Sequence, residues 1–194
     1  MGVEFEVKFH TTAEMQAAIR AEIQGPEQEY DMETTYYDAV DGGLSQRYYT
    51  LRRRMENGIS VCTLKTPNEG EGRGEWEVRC DAIEDAVEEL CKLGAPEDLK
   101  ELTAVGIRQV CGAKFHRIAK TVSLDGGVVE LALDQGVLLG GGKEIPLCEV
   151  EVELKEGSVE MTRSYALMLA AIYDLIPEKG SKFRRALELA KEEI

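Results

Sequence analysis

The sequence predicts an α+β fold in which about eight strands form an antiparallel sheet, with helices after the first strand, in mid-chain and at the end. Three observations predict it. Alternation of apolar and charged residues, the period of a β-strand, recurs in many short segments. Gly and Asn turn signals separate those segments closely, and such short connections require antiparallel neighbours. Apolar residues at helical spacing mark only a few stretches. So many strands favour a closed barrel or a two-sheet sandwich.

The first half of the chain is expected to contain one long helix and five strands. The predicted strands cover residues 3–9, 30–38, 48–56, 59–66 and 74–80. A helix begins at a Thr11 or Thr12 cap, and Gly25-Pro26 ends it. Between the third and fourth strands, Asn57-Gly58 favours a tight hairpin.

The second half is expected to contain four more strand segments between helices. The predicted strands cover residues 106–123, 128–134, 137–139 and 144–155, and the predicted helices cover 82–93, 97–103, 158–175 and 181–193. Pro177 and Gly180 break the last two helices apart. The length of 194 residues suits one domain. We therefore expect a single domain over 1–194 that includes the C-terminal helices, about 158–193.

Composition excludes several classes of function. The chain has 23 Lys and Arg residues against 37 Asp and Glu residues, a formal charge of −14. This balance argues against nucleic acid and anionic membranes as partners, because both need a basic face. The sequence contains neither an apolar run of the ~20 residues that span a bilayer nor a signal-peptide pattern at its start. Five widely spaced cysteines without a Cys-x-x-Cys pair indicate a reducing cytoplasm.

The polar faces of the strands are the most informative feature. Alternation places these charged residues on shared strand faces: Glu4, Glu6 and Lys8; Arg52 and Arg54; Arg73, Glu75, Glu77 and Arg79; Glu130 and Asp134; Glu149, Glu151 and Glu153. A solvated sheet face is the ordinary interpretation of such alternation. These faces, however, consist almost only of Glu, Asp and Arg, and crowded like charges repel unless opposite charges lie between them. We therefore expect the charged faces to line a wet tunnel, with helices outside.

The chemistry of such a tunnel follows from its side chains. Carboxylates without His or Cys are ligands for Mg²⁺, Mn²⁺ or Ca²⁺. A row of Arg and Lys calls for an anion. A polyanion that bridges basic groups and metal-bound carboxylates is most simply a phosphate chain.

The motifs resemble those of the CYTH superfamily, the triphosphate tunnel metalloenzymes, over essentially the whole chain. Eight blocks match in family order: Glu4-Phe5-Glu6-Val7-Lys8, Tyr36-Tyr37-Asp38, Leu51-Arg52-Arg53-Arg54, Thr63-Leu64-Lys65, Arg73-Gly74-Glu75-Trp76-Glu77, Val129 to Asp134, Cys148 to Glu153, and Ser181-Lys182 with Arg185. The sequence departs from the pattern at Ala39, at Ala186 and at Phe115, where the family often places Lys.

The resemblance implies an eight-stranded antiparallel closed β-barrel that holds triphosphate with Mg²⁺ or Mn²⁺. The blocks are most similar to those of bacterial inorganic triphosphatases. In those enzymes the domain often carries a helical partner domain (CHAD), which is not expected within these 194 residues. Family members are often homodimers.

Charge and resemblance together assign roles to the residues. Lys8, Arg52, Arg54, Lys65, Arg73, Arg117 and Lys182 are expected to bind phosphate oxygens. Glu4, Glu6, Glu75, Glu77, Asp134, Glu151 and Glu153 are expected to hold two metal ions. Glu4, Glu6, Lys8 and Lys65 are expected to be catalytic. Positioning and charge compensation dominate phosphoryl transfer, and a metal-activated water is expected to attack the terminal phosphorus in line.

The sequence leaves the substrate open. The first hypothesis is hydrolysis of inorganic triphosphate to pyrophosphate and phosphate. The alternatives are a thiamine or nucleoside triphosphatase, an adenylate cyclase of the family's own class, and a non-catalytic module that binds polyphosphate.

Overall fold

The computed structural model describes residues 2–191, with side chains from residue 4 onward. The strands are β1 (Gly2–Glu4), β2 (Glu6–His10), β3 (Glu27–Ala39), β4 (Thr50–Glu56), β5 (Ile59–Pro67), β6 (Arg73–Arg79), β7 (Ile107–Leu124), β8 (Gly127–Gly140), β9 (Lys143–Glu156) and β10 (Ile176–Pro177). The helices are α1 (Ala13–Glu22), α2 (Gly43–Gln46), α3 (Ile83–Lys92), α4 (Asp98–Thr103), α5 (Val159–Ile172) and α6 (Lys182–Lys191). The predicted α+β class is confirmed. Within residues 2–191 no helix is long and apolar enough to cross a membrane.

Hydroxyl side chains cap the starts of α1 and α5. The Thr12 hydroxyl accepts a hydrogen bond from the backbone N–H of Met15 at 3.2 Å at the start of α1. The Ser158 hydroxyl does the same for Met161 at 3.1 Å at the start of α5. Each cap satisfies one of the N–H groups that a helix leaves unpaired at its first turn.

The turns and long strands follow the sequence signals closely. Asn57 and Gly58 both have positive φ, 47° and 85°, which is the backbone of the tight hairpin predicted between β4 and β5. The two segments predicted at 128–134 and 137–139 form one strand, β8, because Gly136 allows close backbone approach without ending the strand. A Cβ at Gly136 would lie 2.1 Å from the backbone oxygen of Lys114.

All ten strands form one antiparallel sheet in the order β1-β6-β5-β4-β3-β7-β8-β9-β2-β10. The prediction of an eight-stranded closed barrel is therefore wrong, because the ladder has ten strands and two ends. The reason lies in the N-terminal segment. It was expected to be one strand over 3–9, but it leaves the ladder at Phe5 and changes neighbours there. β1 pairs with β6, whereas β2 pairs with β9.

The N-terminal segment nevertheless brings distant parts of the sheet together. β1 and β2 are separated by Phe5 alone, and the Phe5 carbonyl accepts a hydrogen bond from the Leu154 N–H of β9 at 2.9 Å. Because consecutive residues pair with β6 and with β9, the sheet must curl until those two strands lie on either side of this segment. The curl gives the sheet a concave and a convex face.

Helices cover the convex face in two separate cores. α1 and α5 pack on apolar residues of β2, β7, β8 and β9, among them Phe9, Leu131 and Val152. α2, α3 and α4 pack on residues of β4, β5 and β6, among them Leu51 and Leu64. These apolar residues alternate with the charged ones, so the charged faces point to the concave side, as the sequence predicts.

The C-terminal helix α6 is the exception to the expectation that all helices lie outside. Its Ala186 belongs to a core with Met32, Tyr36 and Phe115, and these three residues share the concave face. A Cβ on Gly140 of β8 would lie 2.2 Å from the Ala186 carbonyl oxygen, so glycine permits the contact. α6 therefore fills one part of the concave side and leaves the rest open.

Candidate active site

The open part of the concave side is a cavity of about 920 Å³, called here the central cavity. Of the predicted site residues, these line it: Glu4, Glu6, Lys8, Arg52, Arg54, Lys65, Arg73, Glu75, Glu77, Arg117, Glu151, Glu153 and Lys182. Asp134 does not. The curled sheet thus brings together side chains from the two ends of the chain and from five strands between them, β4, β5, β6, β7 and β9.

Charge is distributed unevenly between the central cavity and the rest of the protein. Among the side chains of residues 4–191, ten Lys and Arg line the cavity, against eight Asp and Glu. The cavity is therefore slightly positive inside a chain whose formal charge is −14. A cavity with an excess of cations focuses the field on anions.

The two glutamates of the N-terminal motif are each paired with a cation in the cavity. Lys65 contacts both carboxylate oxygens of Glu4 at 2.5 Å, and Lys8 contacts Glu6 at 2.8 Å. Burial disfavours the charged form of Lys8, but Glu6 and Glu151 outweigh it and raise its pKa. The Lys65 ammonium also lies 3.6 Å from Glu75. Predicted phosphate ligands and predicted metal ligands therefore lie directly beside one another.

A second group of charges lies deeper, where α6 meets β8 and β9. The Lys182 ammonium lies 2.8 Å from Asp134, 2.7 Å from Glu149 and 2.7 Å from Glu151. Oxygens of these three carboxylates lie within 4.8 Å of one another, a spacing that could hold a metal ion. In the structure the Lys182 ammonium stands at the centre of this group, called here the carboxylate triad.

Arg117 completes the neutralisation of the triad. Its guanidinium donates to both oxygens of Asp134 at 2.7 Å and to Glu151 at 2.5 Å. Burial alone would raise the pKa of Glu151, but Lys182 and Arg117 hold it well below its usual range. Both cations have raised pKa values because their carboxylate partners outweigh burial. Lys182 thus contacts all three carboxylates of the triad, and Arg117 contacts two of them.

Asp134, unlike the other predicted metal ligands, does not line the central cavity. It is fully buried behind Arg117 and Lys182 and does not face the central cavity. Its carboxylate oxygens are taken by those two cations. Glu4, Glu6 and Glu151, three of the predicted metal ligands, do not form one of the close clusters of possible ligand groups found within residues 2–191, which are the triad and the set His10, Glu149 and Glu178.

The remaining predicted phosphate ligands are held by neutral or acidic neighbours. Arg73 donates to the carbonyl oxygens of Tyr48 at 2.9 Å and Lys65 at 3.2 Å. Burial lowers the pKa of Arg73. Arg54 donates to Glu56 at 2.6 Å, and burial together with the neighbouring Arg52 lowers its pKa.

The remaining predicted metal ligands have weaker or more exposed partners. Arg52 lies 3.9 Å from Glu75, and Thr63 donates to Glu77 at 3.4 Å. Lys155 pairs with Glu153 at 2.8 Å. Burial raises the pKa of Glu153 despite that partner, with Glu4 and Glu130 adding to the effect.

Phe115, at a position where the family often has Lys, lines the cavity beneath two cations. The Arg117 guanidinium carbon lies 5.7 Å and the Lys182 ammonium 5.2 Å from the ring centroid. Aromatic faces attract cations at such distances. The neighbouring Lys114 points to the convex side and pairs with Glu33 at 2.9 Å, so it does not replace the missing lysine.

Several charged residues near the cavity were not among the predicted site residues. They are Glu56, Lys155, Lys179 and Arg184 in the cavity wall, together with Glu130 in the wall and Glu149 behind it, which were placed on inward strand faces but given no role. Alternation could have found Glu56 and Lys155, because each follows a predicted residue by two positions on the same strand. Lys179 and Arg184 could not be found in this way, since their place depends on where α6 packs.

Asp38 of the Tyr-Tyr-Asp block makes structural contacts with the backbone. One of its oxygens accepts hydrogen bonds from the backbone N–H groups of Ala39 at 2.8 Å, Leu44 at 3.0 Å and Ser45 at 3.3 Å. It thereby caps α2, whose N-terminal N–H groups lack helical partners. Tyr36 of the same block lines the cavity.

Fold and site together define a class of protein: a curled antiparallel sheet enclosing a cavity that is rich in both cations and carboxylates. The CYTH domain model matches residues 2–187. The chain therefore belongs to the CYTH domain family, and the resemblance inferred from its motifs is confirmed.

Individual proteins are similar to this chain in sequence or in fold. An inorganic triphosphatase of Haemophilus influenzae is 26% identical over 162 residues, which are 82% of this chain and 46% of the relative. The chain thus spans about half the length of that relative. The PH1819 protein of Pyrococcus horikoshii has a TM-score of 0.63 and 20% identity over 96% of this chain and 99% of its own. The HpAC1 protein of Hippeastrum, described as a putative adenylyl cyclase with dominant triphosphatase activity, has a TM-score of 0.65 and 16% identity over 100% and 98%. At these identities the two structures show the fold alone.

Proposed function

We propose that this protein hydrolyses inorganic triphosphate to pyrophosphate and phosphate in the central cavity. The observation that carries the proposal is the convergence of predicted phosphate-binding cations and predicted metal-binding carboxylates in one enclosed space. The 26% identity to an inorganic triphosphatase supports the same reaction class. Mg²⁺ or Mn²⁺ is the proposed cofactor, because the cavity carboxylates offer hard oxygen ligands without His or Cys.

The ion pairs of the cavity fit a complex of a phosphate chain with divalent cations. In the structure Lys65 pairs with Glu4, Lys8 with Glu6 and Arg117 with Glu151. A metal–triphosphate complex contains ions of both signs. Its anionic oxygens can pair with the Lys and Arg groups, and its metal cation can pair with the Glu groups. Each pair can therefore exchange its internal partner for an external one without leaving a charge unpaired.

We assign binding and orientation of the phosphate chain to the cavity cations. Arg side chains give bidentate contacts to phosphate oxygens, and Lys side chains act as point charges. The ligands proposed for the metal are Glu4, Glu6, Glu75, Glu77, Glu151 and Glu153, which all face the cavity. Asp134, buried behind them, is proposed to hold Arg117 and Lys182 in place instead. A divalent cation would supply charge neutralisation and Lewis-acid activation of the phosphoryl group.

The proposal is tested by phosphate release from a panel of substrates. Purified protein with Mg²⁺ or Mn²⁺ is given triphosphate, ATP, thiamine triphosphate and longer polyphosphate. Release from triphosphate with the highest kcat/KM supports the proposal. Faster turnover of an organic triphosphate would move the assignment to that substrate. Tight binding of triphosphate with no turnover under either metal would make the protein a binding module and would falsify the proposed hydrolysis.

Matched variants on the two faces of the sheet locate the activity. Lys65→Met and Glu6→Gln alter the concave face, whereas Lys114→Met and Glu33→Gln alter an exposed ion pair on the convex face. We expect the two inner variants to lose about 100-fold or more in kcat/KM, the scale of removing one transition-state contact. The two outer variants should stay within about twofold, because exposed ion pairs contribute little. Equal losses on both faces would contradict a site in the central cavity.

A further inference from the structure

Gln16 is a buried polar side chain in an otherwise apolar interface. It lies on α1 with 7% of its surface exposed, and its helix neighbour Ile19 is completely buried in the core on the convex face. A primary amide in such surroundings is costly unless its hydrogen bonds are satisfied. The two hydrogen-bond acceptors of the Gln16 amide therefore indicate the role of this residue.

Both partners of the Gln16 amide are backbone carbonyls of the site strands. The Nε2 group donates to the carbonyl oxygen of Asp134 at 2.9 Å and to that of Glu149 at 2.8 Å. Asp134 on β8 and Glu149 on β9 stand directly opposite each other in the ladder. One side chain thus ties two adjacent strands together at a single residue pair.

That residue pair carries two of the three triad carboxylates. The backbone of Asp134 and Glu149 is held by α1 from the convex side, and their side chains reach the Lys182 ammonium on the concave side at 2.8 and 2.7 Å. Glu149 also pairs with Arg185 of α6. Gln16 is therefore connected through Asp134 and Glu149 to Lys182 and Arg185, the cations that anchor α6 beside the cavity.

We propose that Gln16 is a positioning residue for the active site. It fixes the Asp134–Glu149 pair, and through that pair it sets the position of Lys182 and of the start of α6. The inference rests on the proposed function, in which Lys182 binds a phosphate oxygen. Without the Gln16 donor, two carbonyl oxygens lose a shared hydrogen-bond partner and the strands are free to shift at this pair.

The test compares Gln16→Met with Ile19→Val. The first variant keeps side-chain volume and removes the donor, and the second removes one buried methyl group from the same face of α1. Amide hydrogen exchange is followed by mass spectrometry in α1 and in α6. We expect Gln16→Met to speed exchange in α6 about tenfold, and Ile19→Val to leave α6 exchange unchanged at a comparable loss of Tm. Unchanged α6 exchange in Gln16→Met would overturn the inference.

Kinetics test the same coupling by an independent route. Gln16→Met should raise KM for triphosphate about fivefold with less than a twofold change in kcat, and it should have no further effect in a Lys182→Met background. If that background does not fold, Arg117→Lys, which keeps the charge but loses the paired contact with Asp134, takes its place. Additive effects in the cycle would contradict a path through the triad. Hydrogen exchange in α6 needs no turnover, so a protein without triphosphatase activity would refute the proposed function and still decide whether Gln16 holds α6.

Discussion

At the scale of single residues, neighbours on one strand have opposite electrostatic properties. Glu151 and Glu153 lie two positions apart on β9 and face the same cavity. The pKa of Glu151 is far below its usual range because Lys182 and Arg117 outweigh burial, whereas burial raises the pKa of Glu153. The alternation of the strand predicts that both point inward. Which of them has two strong cationic partners depends on α6 and β7.

This contrast predicts opposite effects of two identical substitutions in a buffer with EDTA. Glu151→Gln should lower the free energy of unfolding by about 3–5 kcal/mol, the cost of breaking a buried ion pair, because it leaves buried cations uncompensated. Glu153→Gln should raise Tm, since it removes a charge that burial disfavours. Thermal unfolding of both variants beside the wild type measures this. A fall of Tm in Glu153→Gln would show that the pair with Lys155 outweighs burial.

The same shifts predict how these effects depend on pH. The depressed pKa of Glu151 contributes stability above its ordinary value of 4.5, and that stability is lost as pH falls through the folded-state pKa. The raised pKa of Glu153 has the opposite effect on stability. Ionised Glu153 destabilises the folded state at high pH, and this destabilisation disappears as pH falls below 4.5. The Tm gain of Glu153→Gln should therefore shrink as pH falls from 7 to 4. The loss in Glu151→Gln should persist at pH 4 and vanish only in stronger acid. A Tm gain that stayed constant between pH 7 and pH 4 would exclude Glu153 as its source.

At the scale of elements, β-strand alternation predicts which way side chains point, whereas helix periodicity does not predict which surface a helix packs on. Most of the charged residues predicted to face inward on β2, β4, β6 and β9 line the cavity, because side chains on a strand must alternate, whereas Arg79 and Glu149 do not line it. The spacing of apolar residues in α6 indicates a helix with one buried face, but it does not say which surface that face meets. Gly140 and the apolar residues around Tyr36 determine which surface α6 packs on, and both lie far from α6 in the sequence.

A single methyl group should therefore displace α6. In Gly140→Ala the new Cβ would lie 2.2 Å from the Ala186 carbonyl and 2.8 Å from the Ala190 nitrogen, so the helix must move. We expect a loss of about 1–3 kcal/mol in stability, typical of overpacking, together with reduced phosphate release. Gly142→Asn is the matched control, because nothing lies within 4 Å there and Asn tolerates the positive φ of 76°. If Gly140→Ala behaved like the control in Tm and activity, the packing of α6 on β8 would not matter for the site.

At the scale of the whole molecule, the fold separates charge. A chain with a formal charge of −14 gathers ten of its cations in one cavity together with eight carboxylates. The exterior is therefore more acidic than the composition suggests. The acidic exterior predicts that nucleic acid is not a partner, because nucleic acid needs a basic face, and the slight excess of cations in the cavity walls favours small anions there.

Ligand binding should stabilise the molecule as a whole. A ligand that binds only the folded state adds about 2.7 kcal/mol at a hundredfold excess over Kd, which corresponds to about 5–10 °C in Tm for a chain of this size. We expect triphosphate with Mg²⁺ or Mn²⁺ to give a shift of this order, and EDTA to reverse the metal-dependent part. Glu6→Gln should reduce the shift, whereas the outer variant Glu33→Gln should keep it. Equal shifts in both variants would place ligand binding outside the cavity.

The sequence by itself determined the strand faces, the acidic balance and 13 of the 18 charged residues that line the cavity, because alternation and charge are local properties. Only the tertiary structure decided that the ladder stays open at Phe5, that α6 enters the concave side, and that Asp134 lies behind the cavity with Arg117 and Lys182 as partners. Each of these depends on surfaces that meet from distant parts of the chain. The role of Gln16 belongs here too, since its two carbonyl partners lie more than a hundred residues away.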